Sequence, residues 1–209
     1  LVPETALGII RYAVEVEKSN GGLLDYFQEI VDVISKRHEM SDIAQLPRIV
    51  ETREAYKAFG KSPSQYRNAS EAMLRRVVKG KGLYQINNVV DIQNIISIQS
   101  GFSIGSYDVD KLEGFIQLRK APAEERYEGI GKTEVNIENL PVLFDEIGAF
   151  GNPTSDSKRA MIQKGFRNVI SIVYAFTPEV DELEKWMAEY EERLKQFTNA
   201  TNIQVSIIR

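Results

Sequence analysis

The segment from residue 68 to residue 115 combines the chain's most apolar helix pattern with its tightest basic cluster and a turn rich in Gly, Tyr and Asp. Asn87 and Asn88 open a run in which Val and Ile occupy most faces of a helix that ends at Gly101. A helix that is apolar around so much of its circumference is expected to be buried. The segment therefore predicts a largely buried helix around which the rest of the chain is organised.

A second helix is predicted immediately before this one. Asn68 followed by Glu71 is typical of a helix N-terminus, because both side chains can take up free backbone N–H groups. Gly80 and Gly82 are suited to end the helix, and a basic cluster near that end suits the negative pole of the helix dipole. After the apolar helix, residues 102–110 are predicted to form a turn or short extended run. This run is expected to bring together three side chains as a candidate site wall: Tyr107, Asp108 and Asp110.

Patterns elsewhere predict both strands and helices. The first third has the order strand, helix, helix, at residues 7–16, 23–38 and 47–60. Residues 142–146 and 168–176 are predicted to be strands, and the second should be central because it is nearly continuous in apolar residues.

The C-terminal region has the clearest helix signals. Thr177 is predicted to cap a helix whose first residue is Pro178, and acidic residues follow in its first turn. Alternation of apolar and polar residues from 203 to 207 predicts a closing strand. We therefore expect one α+β domain over residues 1–209, a mixed β-sheet with packed helices, which includes an N-terminal strand-helix-helix portion (1–60) and a C-terminal helix-strand portion (177–208).

Composition limits the functional classes. The 209-residue chain carries a net charge of −4 with a pI near 5.3, so no general affinity for DNA or RNA is expected, and any RNA contact needs a local patch. The absence of cysteine excludes disulfides and thiolate chemistry and is typical of a reducing cytoplasm. No apolar run is long enough to span a bilayer and no signal-peptide pattern opens the chain, so we expect a cytoplasmic protein without a membrane partner.

A local cationic patch is present between residues 53 and 82, where eight basic residues accompany only Glu54 and Glu71. Such a surplus is suited to phosphate contacts, and the alternative interpretation is a solvated helix face. Three tyrosines among these charges offer rings for stacking on unpaired bases, with core packing as the alternative: Tyr56, Tyr66 and Tyr84. The candidate RNA-binding residues are Arg67, Arg75, Arg76, Lys79 and Lys81.

Several catalytic signatures fail on their spacing. Gly131-Lys132-Thr133 ends like a phosphate-binding loop, but Arg126 stands where the motif needs its first glycine. His38 is the only histidine, and it follows two basic residues at a predicted helix end, which argues against a Ser-His-Asp triad. The acids are scattered along the chain, so no metal site and no cofactor are predicted.

Three ordered blocks carry a family resemblance: INNVVDIQNIISIQSGFSIGSYDVDKLEGFIQLR at 86–119, LPVLFDEIGAF at 140–150 and FRNVISIVYAFTP at 166–178. Together they resemble the B3/B4 domain of the bacterial phenylalanyl-tRNA synthetase β subunit. That domain hydrolyses tyrosine wrongly esterified to the phenylalanine tRNA. The resemblance implies a free-standing B3/B4 protein of translation that contacts the acceptor end of aminoacyl-tRNA or edits it in trans.

The chain departs from the family pattern at three places. Gly105 stands at the family's histidine, the glutamate that recognises the tyrosine hydroxyl would fall near Ser157 or Lys158, and no match to a Thr-and-Ala-bearing segment follows the later strands. Asp156 can partly replace the glutamate. A site that lacks those polar groups should not select tyrosine. Backbone N–H groups around Gly105 or at 148–151 are candidates for oxyanion stabilisation.

The resemblance and the turn together give a set of candidate pocket residues: Asn87, Asn88, Asp91, Gly105, Tyr107, Asp108, Asp145, Asn152 and Asp156. No catalytic residue is assigned. Two hypotheses follow. The first is an RNA-linked protein that binds aminoacyl-tRNA, with or without hydrolysis of a mischarged ester. The second is a non-catalytic small-ligand module that keeps the fold and has lost the editing residues. The sequence leaves the amino acid, the tRNA and the oligomeric state open.

Overall fold

A computed structural model describes residues 5–177 and 179–209, and all structural statements refer to these residues. Its helices are α1 (Gly21–Arg37), α2 (Pro47–Phe59), α3 (Ala69–Val78), α4 (Asn88–Ser100) and α5 (Asp181–Phe197). Its strands are β1 (Ala6–Val16), β2 (Ser103–Asp108), β3 (Gln117–Lys120), β4 (Arg126–Tyr127), β5 (Val135–Asn136), β6 (Pro141–Phe144), β7 (Ala149–Gly151), β8 (Gly165–Ala175) and β9 (Thr201–Ile208).

The main sheet has the strand order β2-β8-β1-β9, with every neighbouring pair antiparallel. β8 and β1 lie at its centre and pair along their whole length, from Ala6 opposite Ala175 to Val16 opposite Gly165. The C-terminal half of β8 is continuously buried, because both faces of this strand are covered. The position of β8 confirms the predicted central strand.

One face of the main sheet carries the helices. Even-numbered residues of β1, such as Ile10 and Val14, pack in one core with apolar side chains of α1, α3, α4 and α5. Helix α4 is at the centre of this layer, since Val89, Ile92, Ile95, Ile96 and Ile98 are at most 2% exposed. The burial of α4 confirms the prediction from its apolar circumference.

The opposite face carries a layer of short strands. Because side chains alternate along a strand, Leu7 and Ile9 of β1 point away from the helices and pack in a second core. That core also contains Leu143 of β6 and Phe150 of β7, from the small antiparallel sheet β3-β6-β7. The molecule therefore has a layer of helices, a main sheet and a layer of short strands and loops.

The α+β class with helices packed on a sheet is confirmed. The pairings between described strands are all antiparallel, which is more specific than the mixed sheet expected from the sequence. Residues 103–108, expected as a turn or short extended run, form the edge strand β2, and one 3-10 turn follows at Val109–Lys111. They extend because β2 pairs with β8 over six consecutive residues.

The start of the last helix differs from the prediction. Helix α5 begins at Asp181 with Val180 as its N-cap, and the hydroxyl of Thr177 accepts a hydrogen bond from the N–H of Glu179 at 3.2 Å. Thr177 therefore binds a backbone N–H that precedes the helix and does not cap the first turn of α5. The prediction for Pro178 falls outside the described residues. Among the described helices, none combines the length and apolar character needed to cross a membrane.

Candidate functional site

The side chain of Tyr107 lies between two glycines on the strand-covered side of the main sheet. Tyr107 is on β2 and is 1% exposed, and its ring meets Phe150 edge-on with centroids 4.9 Å apart. A Cβ atom at Gly105 would lie 2.0 Å from the hydroxyl oxygen of Tyr107, and one at Gly151 would lie 2.2 Å from it. Only residues without a side chain at these two positions leave room for the phenol.

The hydroxyl of Tyr107 binds a buried carboxyl group. It donates to Oδ1 of Asp156 at 2.7 Å and accepts from the hydroxyl of Tyr174, whose oxygen is 2.8 Å away. Burial raises the pKa of Asp156 to about 7, and hydrogen bonds from Tyr107 and from the backbone of Asn152 lower it in part. A carboxyl group with such a pKa exchanges its proton near neutral pH, which is a property of functional sites as well as of some structural networks.

The loop that carries Asp156 is held by a network of buried polar groups. Oδ1 of Asn152 accepts the N–H groups of Thr154 and Ser155 at 2.7 and 3.0 Å. The hydroxyls of Tyr56 and Thr154 are 2.8 Å apart, and the amide of Asn152 also donates to the hydroxyl of Tyr127. The two tyrosines are largely withdrawn from water, and this burial raises the pKa of both. The loop is therefore fixed from several sides.

Asp108 and Asp145 bind backbone groups and cationic side chains near their own turns of the chain. Asp145 accepts hydrogen bonds from three backbone N–H groups and from the guanidinium of Arg159, with Oδ1 to Nη2 at 2.8 Å. Burial raises its pKa, but these bonds outweigh burial and the pKa is lowered. Asp108 accepts the N–H of Asp110 at 3.1 Å. Both carboxylates therefore already accept hydrogen bonds from backbone N–H groups in nearby turns.

Three other candidate pocket residues are on the opposite side of the main sheet, which corrects the expectation of one enclosed pocket. Asn87 caps α4 through the N–H of Val90, and Asp91 accepts the hydroxyl of Ser19 at 2.6 Å. Asn88 spans the end of β1, where it accepts from the N–H of Glu17 and donates to the carbonyl of Glu15. They lie with the helices because α4 packs on that face, so they stabilise the helix start.

The cations of the basic segment do not form one surface either. Arg67 and Arg75 approach the carboxylate of Glu71, whereas Arg76 lies over the ring of Tyr84, 4.2 Å from its centroid. Arg67 precedes the start of α3, where the N–H of Ala69 donates to the carbonyl of Pro153 in the Asp156 loop at 2.7 Å.

Two lysines are more distant from that loop. The exposed Lys79 and Lys81 follow the other end of α3, and a helix of ten residues spans about 15 Å. Tyr84 is 68% exposed, whereas Tyr56 is buried and Tyr66 lies under the ammonium of Lys61. Of the three tyrosines, Tyr84 has the ring most available to a partner.

Sequence reasoning missed several residues around the phenol. The sequence predicts Tyr174 only as part of a strand, and Gly151 only as part of a loop whose backbone N–H groups are candidates for oxyanion stabilisation. Away from the phenol, it predicts Arg53 only as one charge in a basic run. Glycine inside a strand is a sign of close approach by another group, and this signal was available for Gly105 and Gly151. No local pattern shows that a carboxyl group 49 positions away in sequence meets Tyr107.

The chemistry open to this site is recognition of a hydroxyl or ring by a proton-exchanging carboxyl group. The backbone N–H of Gly148, a candidate for oxyanion stabilisation, already donates to Asp145 at 3.0 Å. Within residues 5–177 and 179–209, no group of three or more His, Asp or Glu side chains is placed to hold a metal ion.

Comparison with known proteins gives consistent matches. The model of the B3/4 domain family matches residues 51–204, which is more than half of the chain. The phenylalanine–tRNA ligase β subunit of Fusobacterium nucleatum is 30% identical over 109 residues, covering 51% of this chain and 14% of that protein. The β subunit of Geobacter metallireducens is 25% identical over 219 residues, covering 99% of this chain and 26% of that protein.

The chain thus spans about a quarter or less of the length of these two relatives. Among solved structures, an N-terminal fragment of the phenylalanyl-tRNA synthetase β-subunit from Pyrococcus horikoshii is 13% identical with a TM-score of 0.42, covering 96% of this chain and 46% of that one. The family match over residues 51–204 establishes that this chain belongs to the B3/4 domain family.

Proposed function

We propose that the chain binds the aminoacylated end of a tRNA, and that Asp156 recognises a hydroxyl on the esterified amino acid. The observation that carries the proposal is the buried contact between Asp156 and the phenol of Tyr107, which lies in a gap left by Gly105 and Gly151. This gap has the shape of a phenol and ends at a carboxyl group. In the structure the chain's own tyrosine occupies it.

The relatives supply the setting for such a ligand. They are phenylalanine–tRNA ligase β subunits. The resemblance described under Sequence analysis implies a domain that acts on tyrosine attached to tRNA. A ligand ring enters when Tyr107 turns out of the gap, and it then takes the hydrogen bonds of that phenol. A site built to bind a hydroxyl strongly rejects an analogue that lacks it, because the buried carboxyl group is then unpaired.

Hydrolysis of the ester in trans is the further form of this proposal. No nucleophile is assigned: among the described residues the side chain of Asp156 is hydrogen-bonded to the phenol of Tyr107, and the N–H of Gly148 already donates to Asp145. An attacking water would therefore depend on the terminal hydroxyl of the tRNA, because Asp156 binds the phenol at the end of the amino acid opposite to the ester.

The test compares one tRNA in three states: uncharged, charged with phenylalanine and charged with tyrosine. We expect the tyrosyl form to bind more tightly than the phenylalanyl form, and Asp156→Ala to abolish that difference without changing affinity for the uncharged tRNA. Asp181→Ala, which removes an exposed carboxylate from the first turn of α5, is the matched control. Equal affinity for all three states contradicts the proposal. Release of amino acid above the buffer rate, measured in the same samples, decides whether binding leads to hydrolysis.

A second candidate function is a non-catalytic module for a free aromatic amino acid. The occupied N–H of Gly148 favours it, since an oxyanion site is then missing there. Thermal unfolding with free tyrosine separates the two candidates, because a ligand that binds only the folded state raises the melting temperature with its concentration. Stabilisation by free tyrosine together with indifference to charged tRNA selects this second function.

A further inference from the structure

Three guanidinium groups converge on one buried carboxylate. Glu71, in the first turn of α3, is fully buried. Arg53 of α2 approaches it with Nη1 at 3.0 and 3.2 Å from Oε1 and Oε2. Nε of Arg75, one turn along α3, is 2.9 Å from Oε1, and Nε of Arg67, just before the helix, is 3.4 Å from Oε1. We call these four residues the arginine cluster.

The arginine cluster has more positive charge than its own acid neutralises. Three guanidinium charges and one carboxylate leave a surplus of two positive charges. Like charges held this close repel, and the repulsion is strong where water is partly excluded. A single arginine would neutralise Glu71, so the second and third are in excess of what the carboxylate requires. An anion from outside the chain would relieve this repulsion.

The guanidinium groups also keep donors free for such an anion. Arg53 uses Nη1 on Glu71, Arg67 uses Nε, and Arg75 uses Nε on Glu71 and Nη1 on the sulfur of Met40. Across the described chain, the Nη2 atoms of the three arginines have no hydrogen-bond partner. The side chains are 23%, 41% and 23% exposed for Arg53, Arg67 and Arg75, so solvent and ligands can reach them. Arginine binds phosphate oxygens in pairs through its planar fork.

We propose that the arginine cluster is a binding site for the phosphate backbone of tRNA and that Glu71 is its positioning residue. This proposal rests on the proposed function, and it names the contacts that hold the tRNA beside the gap between Gly105 and Gly151. Its location supports that role, because the hydroxyl of Thr154 contacts the carbonyl of Tyr66 at 3.4 Å and so links the start of the cluster to the Asp156 loop. Arg53 and Glu71 belong to this site but were not among the RNA-binding residues predicted from the sequence, because the run of basic residues does not show how they are arranged in space.

The test measures affinity for uncharged tRNA at a series of salt concentrations by fluorescence anisotropy. Each lost phosphate contact lowers the slope of log affinity against log salt by about one and weakens binding. We expect this result for Arg67→Ala, and a weaker affinity for Arg67→Lys, which keeps the charge and loses the fork. Lys195→Ala, which changes net charge equally at an exposed ion pair on α5, should leave the slope unchanged.

The variant Glu71→Gln separates positioning from simple charge. It makes the protein more positive, so a site governed by net charge binds tRNA more tightly. Without the carboxylate that gathers the guanidinium groups, we expect weaker binding instead. Tighter binding by Glu71→Gln overturns the positioning role, and an unchanged slope in Arg67→Ala overturns the phosphate site. Circular dichroism confirms that each variant is folded, and the two Arg67 variants keep the test decisive if Glu71→Gln is not.

Failure of this proposal is distinguishable from failure of the proposed function. A reduced salt slope in Arg67→Ala with no discrimination between tyrosyl and phenylalanyl tRNA keeps the phosphate site and rejects the amino-acid site. Discrimination with an unchanged slope gives the opposite conclusion.

Discussion

The buried Asp156 makes the stability of this protein depend on pH in a way that can be measured. Its pKa is raised from 3.8 to about 7, with burial as the main cause. Between these values the folded state holds a proton that the unfolded state has released. Stability from this group is therefore complete below pH 4, falls as pH rises, and is lost above pH 7.

The size of this effect follows from the shift. A change of about three pKa units at 1.36 kcal/mol each corresponds to about 4 kcal/mol in the free energy of unfolding. For a chain of this length, that is a difference in melting temperature on the order of 10 °C between pH 4 and pH 8. Asp156→Asn cannot ionise, so the variant should lose this part of the pH dependence while keeping an oxygen that accepts the phenol of Tyr107.

Chemical denaturation at pH 4.5, 6, 7 and 8.5 checks the prediction. Other acids with raised pKa values, such as Glu51 and Asp91, titrate in both proteins and cancel in the difference. Asp181→Asn, in the exposed first turn of α5, is the control and should follow the wild-type profile. If the profiles of Asp156→Asn and wild type run parallel, the carboxyl group is not buried as the structure places it and the reasoning fails.

Three further substitutions test the packing. Gly105→Ala places a methyl group 2.0 Å from a buried phenol oxygen and should cost about 1–3 kcal/mol of stability, whereas Gly21→Ala, with nothing within 4 Å, should be neutral or slightly stabilising; equal melting temperatures would contradict the close approach. Asn88→Ala removes the two bonds to the end of β1 and should cost about 1–3 kcal/mol by urea unfolding, with no effect on tRNA affinity. Arg159→Ala leaves the buried carboxylate of Asp145 without its charged partner and should cost about 3 kcal/mol above pH 5, a loss that shrinks in acid as that carboxylate takes up a proton.

Much of the fold could be predicted because its signals are local. The amphipathic spacing that began at Leu23 gave α1 to within two residues at its start, and the caps Asn68, Asn87 and Gly101 gave the starts of α3 and α4 and the end of α4. Each of these signals depends on side chains within one or two turns of the backbone groups they satisfy. The predicted start of α5 was wrong because the hydroxyl of Thr177 binds the N–H of Glu179, which precedes the helix, and Val180 is the N-cap.

The candidate site could be predicted only in part. Tyr107 and Asp156 were both in the predicted set, and the structure joins them by a hydrogen bond. Asn87, Asn88 and Asp91 were placed in the same pocket, but the main sheet separates them from Tyr107. Sequence pattern shows which residues share a face of one strand or helix, and it does not show which side of the sheet a later element will cover.

The amino-acid sequence by itself therefore determined the helices, the strands β1, β6, β8 and β9, the burial of α4 and the resemblance to the B3/4 family, since these depend on neighbours in the chain and on the order of short blocks. Tertiary structure alone decided that a phenol fills the gap between Gly105 and Gly151, and that three arginines from different segments meet at Glu71. These contacts join residues far apart in sequence, and their free energy depends on burial and on charges that come together only when the layers pack.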